Sequence, residues 1–557
     1  MPFQFPLNHV PFSLYGSYLS ISCVEQGVHQ APSSTERIYL RSHHGGGRSV
    51  LRLEATLGGD VLKLRAEASP TVVRLSHPQG FVEICFGGAD TLRFRGEGLG
   101  LRLSPLLPTV AYVTDADSVT LNILALRSQY RVSALAGTLA ATGLYRAGPR
   151  EGTPEVSVDV AGEAPWEVAL DVFGSTFTSP PRPPFEVCAA ENREAFEQFL
   201  GALPEVPPDF AEARRLAAYV LYASVVAPSG LFKRPVMLMS KNWMDYVWSW
   251  DHCFNALALA PGHPELAWDQ FLLMSDQQDE HGAYPDAYND QHAIYNFSKP
   301  PVHGLTALEL LNRADPPAGT LRAAYDSLAA WTSWWLSYRV LPGERLPYYL
   351  HGNDSGWDNS TLFDQGVPLM SPDLSSYLIL QLEALATLAN HLGLKTSNWS
   401  EQAKRLLDAL VTELWQGERF VGKLATGETV TSQTLLHHMP IVLGRRLPSD
   451  ILPKLKENIS AFVTDHGLAT EEPSSALYRP DGYWRGPMWA PSTYLVVKGL
   501  RESGFDELAN TIAGRFCATC ARSGFAENFD ALTGEGLRDR AYTWTASVFL
   551  LLAECLN

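Results

Sequence analysis

Ser371-Pro372-Asp373-Leu374-Ser375-Ser376-Tyr377-Leu378-Ile379-Leu380-Gln381-Leu382-Glu383-Ala384-Leu385 opens on three helix-start signals in a row. Ser371 supplies an N-cap and Pro372 a first-turn residue with no amide hydrogen to lose. Asp373 adds a charge beside the positive end of the helix dipole. Leu374, Leu378, Leu382, Leu385 and, further on, Leu392 then fall on one helical face. Leu321, Tyr325, Leu328, Trp331 and Trp335 repeat the pattern, with Trp331 and Trp335 read as core. From about residue 209 onward there are about a dozen such segments, at ordinary lengths of roughly 10–20 residues. Twelve helices in antiparallel pairs close into an (α/α)6 toroid, whose loops at one end line a central pocket. The periodicity also permits an open helical array. The tryptophan-rich segments, set in or beside long loops, favour the toroid.

The first 180 or so residues have a different period. Ser49–Leu57, Gly58-Gly59 and Asp60–Ala66 read as one hairpin, in which Leu62, Leu64 and Ala66 alternate with Lys63 and Arg65. Leu92-Arg93-Phe94-Arg95 and Leu101-Arg102-Leu103 repeat the alternation after turn-forming glycines. Many short strands punctuated by Gly and Pro predict a β-sandwich. No acidic-aromatic cluster there suggests chemistry, so it reads as a supporting domain. Ser179-Pro-Pro-Arg-Pro-Pro184 marks a break, because consecutive prolines join neither a helix nor a central strand. A second cluster, Pro204 to Pro208, follows a short helix-like stretch beginning near Glu191. The expected organisation is a β-rich domain over 1–180, a linker with a short helix over 181–208, and an (α/α)6 barrel catalytic domain over 209–557. The fold class is mainly α.

Composition narrows the partners. At 557 residues the chain exceeds the size at which one core stops growing, and 46% hydrophobic with 18% charged residues is ordinary for a globular protein. A formal net charge of −17 repels phosphate backbones and anionic lipid, so neither nucleic acid nor membrane is an expected partner. No apolar run approaches the roughly 20 residues that span a bilayer. Met1-Pro-Phe-Gln-Phe-Pro-Leu-Asn-His9 has neither the basic nor the apolar region of a secretory signal. Cys23, Cys85, Cys188, Cys253, Cys517, Cys520 and Cys555 are odd in number and scattered, which reads as reduced thiols in a cytoplasmic protein. Cys517-Ala-Thr-Cys520 has the spacing of a zinc knuckle or redox pair. With no second pair and no βαβ context, it reads as neighbouring buried helix thiols. No cofactor is expected. A structural calcium is permitted by Asp276-Gln-Gln-Asp279, although a recognisable ligand loop is missing. The oligomeric state is left open.

Five segments carry chemistry. They are Trp243-Met-Asp-Tyr-Val-Trp248-Ser-Trp250-Asp251, Asp279-Glu-His-Gly-Ala-Tyr-Pro-Asp286, Gly356-Trp357-Asp358-Asn359-Ser360, Asp481-Gly-Tyr483-Trp484-Arg485-Gly-Pro-Met-Trp489, and Glu527-Asn-Phe-Asp530 with Leu532-Thr-Gly534. Indole and phenol rings stack on the CH face of a pyranose while Asp, Asn and Arg take its hydroxyls, so such loops suit a monosaccharide pocket. Tryptophans on helical faces are usually core. One beside Asp or Arg in a Gly/Pro-rich loop is harder to assign there, because a buried charge requires a partner. Taken alone, Asp358 also reads as an N-cap or Asx turn, and Glu527 as a solvated loop carboxylate. Together they supply the two carboxylates that glycosidic bond hydrolysis requires.

The same five segments, in this order, resemble glycoside hydrolase family 63 over residues 210–557. The chain is also similar to that family's relatives, the trehalases of family 37. The resemblance implies an (α/α)6 barrel with a β-rich partner domain and inverting hydrolysis of α-glycosides, mostly α-glucosides of small soluble substrates. Position by position, it implies Asp358 as general acid and Glu527 as general base. Trp248, Asp251, Tyr483 and Trp484 match positions lining the sugar, and Asp286, Trp357 and Arg485 of the same segments are set beside them as substrate-binding. The long proline- and glycine-rich signature of trehalases is missing around the first Trp-Asp segment, which counts against trehalose. Family 63 also includes mannosylglycerate and glucosylglycerate hydrolases, so the aglycone stays open.

Chemistry fits these roles. Burial beside Trp357 would raise the pKa of Asp358, as an acid requires, and Glu527 must be ionised to activate water. Asp251 and Arg485 would hold ring hydroxyls. Three alternatives stand beside this: a cyclase or isomerase on a double-helix barrel, which would need an absent Asp-x-Asp-Asp run; a sugar-binding protein; and a phosphorylase.

Overall fold

The computed structural model describes residues 3–25, 27, 32–146, 155–394 and 398–557. Two compact units emerge, the first comprising residues 1–201, 219–227 and 240–245, the second 202–218, 228–239 and 246–557.

The alternation in the first unit builds a β-sandwich of two antiparallel sheets. One runs in the order Phe12–Ser13, Leu19–Ser22, Ile38–Ser42, Arg48–Leu57, Gly100–Pro105, Ser157–Val160 and Leu139–Thr142. The other runs Thr109–Asp115, Ser118–Ile123, Gln129–Ala136, Trp166–Phe173, Thr91–Glu97, Gly80–Gly88, Val73–His77 and Ala66–Ala68. Leu92, Phe94, Leu101 and Leu103 are all buried, as their alternation demands. The hairpin at Gly58-Gly59 forms but ends early: Asp60–Val61 pairs with Arg48–Leu57, and the last bond runs from the Leu62 amide to the Ala55 carbonyl at 2.9 Å. Ala66–Ala68 joins Val73–His77 in the other sheet. Period 2 sets which side chains are buried, not which strand is the partner.

The helix near Glu191 runs Phe185–Ala202. Its buried Cys188 and Phe185 pack on Cys85. Two short stretches of later sequence complete this unit through buried polar bonds. The Lys241 ammonium donates to Ser13 Oγ at 3.0 Å and the Ser17 carbonyl at 2.6 Å, and burial brings its pKa down to about 7. Asp245 holds the buried His43, whose other ring nitrogen meets Ser20 Oγ at 2.8 Å.

The second unit is helical. Six segments form an inner ring, each packed on the next: Asp251–Leu259, His303–Arg313, Pro372–His391, Leu435–Arg446, Ala490–Glu502 and Thr543–Glu554, the last closing against the first. Five have an outer partner following directly: Pro264–Leu272, Thr320–Tyr338, Trp399–Leu414, Ile451–Ser460 and Asp506–Ser523. This is the (α/α)6 arrangement. Position in the ring explains burial. Pro372–His391 is buried almost all round, not on its leucine face alone, because it has neighbours on both sides and outside. Outer helices such as Trp399–Leu414 bury one stripe only. Leu435–Arg446 is a 3-10 segment with Pro440 inside it and Gly444 at φ 54°. Trp331 and Trp335 are fully buried, and all seven cysteines are free thiols, with Cys517 and Cys520 buried on one helix. Among the described residues, no helix is long and apolar enough to cross a membrane.

Candidate active site

All of the site segments read from the sequence lie in the second unit, except for the first residues of the Trp243 segment. Asp358 ends a loop whose shape is fixed by a residue the motif reading passed over. Asp354, buried in that loop, accepts amide bonds from Ser298 (3.0 Å) and Leu350 (2.9 Å) and pairs with Arg339 at 3.0 Å. Gly356 follows at φ 74°, and a Cβ there would meet the Trp250 indole at 2.6 Å. Only glycine turns the chain so close to that ring. Asn359 then clips the loop to the Tyr483 segment: its Oδ1 accepts the Trp484 amide at 3.0 Å, and its Nδ2 donates to the Gly482 carbonyl at 3.0 Å. Thr361 and Ser475 both donate to the fully buried Glu471, at 2.8 and 2.7 Å, holding the far end of the loop.

Arg485 and Trp484 are both engaged by neighbouring protein groups. The Arg485 Nε donates to the Asn359 carbonyl at 2.7 Å and its Nη2 pairs with Asp364, so these donors brace the Asp358 loop. Trp484 is 1% exposed, with Trp357 stacked on one side at 4.6 Å and Trp489 on the other at 4.1 Å. Trp250 and Trp544 close the cluster. Neither face of Trp484 is free for a sugar ring. Trp484→Ala is therefore expected to cost about 3–5 kcal/mol of stability, as large-to-small core changes do. Chemical denaturation beside Trp335→Ala measures this, and a change below about 1 kcal/mol would return Trp484 to the pocket wall.

Glu527 precedes the strand Asn528–Phe529, which pairs with Gly536–Leu537. Phe529 exchanges backbone bonds with Met488, at 2.8 and 3.1 Å, tying this hairpin to the Tyr483 segment. The Tyr483 hydroxyl donates to Glu527 Oε1 at 3.2 Å. On the remaining side, Trp248 is partly exposed on the strand Val247–Trp248, paired with Ala287. Ser249 N bonds the Asp286 carbonyl at 3.0 Å. Asp286 pairs with the buried Lys299 at 2.7 Å, and Lys299 also donates to the Asn353 carbonyl at 2.9 Å. Asp251 begins an inner helix and receives Tyr542 OH at 3.4 Å.

Four carboxyls thus share one poorly hydrated place. Burial raises the pKa of Asp358, with Lys299 opposing and Asp286 assisting. Burial raises Asp251 well above the carboxylate range; Lys299 opposes, while Glu527 and Asp358 add to the rise. Asp286 is raised by burial against the pull of Lys299. Glu527 is pushed up to about 7 by burial and by Asp539 and Asp358, against Arg538 and the Tyr483 hydroxyl. Asp358, Glu527 and Asp251 therefore act on one another electrostatically although they are remote in sequence. Buried acids that raise one another in this way make the cluster a candidate for acid–base chemistry. Lys299, Asp354, Arg538 and Asp539 gave no sequence signal, since each matters only through a partner the fold supplies.

Among the described residues, one group of metal-ligand types comes together. His252, Cys253 and His303 bring ligand-type atoms within 4.8 Å of one another, all buried. His252 Nδ1 faces the Trp248 carbonyl at 3.0 Å, and burial brings the His252 pKa down to about 4 while raising the Cys253 thiol. At the loop read as permitting calcium, Asp276 is paired through both oxygens with Arg234, at 2.7 Å each, and Asp279 caps the amides of His281 and Ala283.

The family model for the mannosylglycerate hydrolase MGH1-like glycoside hydrolase domain matches residues 244–545, more than half of the chain. The chain belongs to this family. These MGH1-like hydrolases fall in glycoside hydrolase family 63, related to the family 37 trehalases. Among relatives, the chain is 23% identical over 395 residues to mannosylglycerate hydrolase of Rubrobacter radiotolerans, covering 54% of this chain and 89% of that one. It is 23% identical over 408 residues to glucosylglycerate hydrolase of Mycolicibacterium hassiacum, covering 55% and 91%. The crystal structure of family 63 mannosylglycerate hydrolase from Thermus thermophilus with Tris and D-glycerate superposes with a TM-score of 0.54 at 21% identity, covering 62% of this chain and all of that one. At that identity the superposition shows a shared fold. As an MGH1-like family member, the chain is a glycoside hydrolase.

Proposed function

We propose that the protein hydrolyses a small α-glycoside with inversion of the anomeric centre, and that residues 209–557 form the catalytic domain. Asp358 gives its proton to the glycosidic oxygen as the C1–O bond breaks. Glu527 takes a proton from a water that attacks C1 from the opposite face, yielding the β-configured sugar and the free alcohol. The observation that carries this reading is that the Tyr483 segment joins the two carboxyl loops, Asn359 accepting the Trp484 amide and the Tyr483 hydroxyl donating to Glu527, with Asp358 and Glu527 both disfavoured from ionising by burial. In this reading Asp251 and Asp286 receive sugar hydroxyls, Trp248 receives a ring face, and Tyr483 serves the base.

Trehalose, an aryl-type α-glucoside and the glycerate glycosides are all admissible small substrates for this chemistry. The names of the relatives favour glycerate as the aglycone, with mannose or glucose as the sugar. A cytoplasmic setting fits the free thiols. The test is a panel of mannosylglycerate, glucosylglycerate, trehalose and an aryl α-glucoside, scored by kcat/KM. One of the two glycerate glycosides is expected to exceed trehalose by at least about 100-fold, because recognition groups lacking their partner are costly. Trehalose as the best substrate would overturn the aglycone. Sugar binding without turnover of any of them, with or without phosphate, would overturn the hydrolase reading.

A further inference from the structure

Two non-glycine residues among those described have a left-handed backbone, Tyr483 at φ 62° and Arg538 at φ 58°. Side chains disfavour this conformation, which persists where its surroundings impose it. The two residues touch: the Arg538 guanidinium carbon lies 4.8 Å from the centre of the Tyr483 ring. Both also adjoin Glu527.

The hairpin explains how. Asn528 pairs with Leu537 and Phe529 with Gly536. Continued by one step, that ladder would set Glu527 opposite Arg538. Instead the Glu527 amide donates to the Asp539 carbonyl at 2.7 Å. One extra residue therefore opposes Glu527, a bulge with Arg538 in the left-handed place where glycine is usual. Bulges re-aim side chains beside active sites. Here the fork of Arg538 is fixed at both tips, Nη1 donating to Asn528 Oδ1 at 3.1 Å and Nη2 pairing with Asp481 at 2.7 Å.

Resting on the reading of Glu527 as the base, we propose that Arg538 is a positioning residue: the bulge sets its guanidinium over the Tyr483 ring, beside Glu527, and so holds the Tyr483 hydroxyl on the Glu527 carboxyl. The groups facing Glu527 divide accordingly. Asp539 and Asp358 oppose its ionisation, while Arg538 and the Tyr483 hydroxyl favour it. Asp251 and the Tyr542 phenol also feel its charge, and Asp481 lies behind Arg538. Burial and Glu527 itself hold the Tyr483 phenol protonated, so that it donates.

The experiment compares kcat/KM against pH for the wild type, Arg538→Gly and Arg538→Lys on the full chain. Glycine suits φ 58°, so R538G removes the cation while keeping the bulge and its Tm. The acidic limb of R538G is expected to move up by about one pH unit, a loss of about tenfold below the limb, as for a lost neighbouring charge. R538K should keep the wild-type limb. An unmoved limb in R538G, or equal movement in both variants, would overturn the proposal. Should R538G unfold, Arg538→Gln is read in its place: a limb moved up by about a unit upholds the proposal, and an unmoved limb overturns it. Glu527→Gln separates the premises. Retained activity there removes the base itself, whereas lost activity with an unmoved R538G limb removes only the role of Arg538.

Discussion

Asp358→Asn should lose about 100- to 10,000-fold in kcat on a glycerate glycoside, because the leaving alkoxide then departs without a proton. The loss should shrink on an aryl α-glycoside, whose phenolate leaves without help. Structure should survive the change. Asn is isosteric, and burial already penalises the ionised Asp358, so Tm should hold or rise slightly. Near-native kcat on the natural-type substrate would remove Asp358 from the acid's place. An equal loss on both substrates would mean that the variant damages binding or loop shape instead.

Glu527→Gln should abolish turnover and, at the same time, stabilise the protein as pH rises. Folding raises the Glu527 pKa from 4.5 to about 7. A raised carboxyl contributes stability at pH below 4.5 and forfeits it as pH climbs through about 7, where the native state must carry a buried charge. Glutamine carries none. The advantage of E527Q should therefore be absent near pH 4, grow between about pH 4.5 and 7, and level off above at roughly 3 kcal/mol or less. Denaturant unfolding at several pH values measures it. A variant less stable than wild type at about pH 8 would mean that Glu527 is held by favourable bonds, not strained by desolvation. The same ionisation should appear in catalysis as an acidic limb of kcat/KM near pH 7, below which the base is protonated. Limbs of coupled carboxyls belong to the set and not to one residue.

Much of this is legible in the sequence. The caps and leucine spacing at Ser371–Leu385 found an inner helix, and the five loop segments gathered into one place. What escaped was decided by partners. Trp484 looks in sequence like any tryptophan beside an arginine in a glycine loop, and only the fold shows indoles on both of its faces. Arg485 faces the Asp358 loop for the same reason: Asp364 and the Asn359 carbonyl offered it a closer anchor. Lys299 precedes two prolines and carries no motif, yet it is buried and moderates three acids, Asp286, Asp358 and Asp251. The hairpin at Gly58-Gly59 failed in a different way, since alternation continues through Leu64 although the ladder has already ended. Pattern fixes exposure locally, whereas pairing is a long-range choice.

Stereochemistry tests the central claim most directly. The better of mannosylglycerate and glucosylglycerate should be hydrolysed in an NMR tube and the first anomer released recorded before mutarotation. The β-anomer is expected first, because a single displacement by water activated at Glu527 inverts the α-linkage. Release of the α-anomer first would mean a covalent intermediate and a retaining enzyme, with Glu527 a nucleophile and not a base.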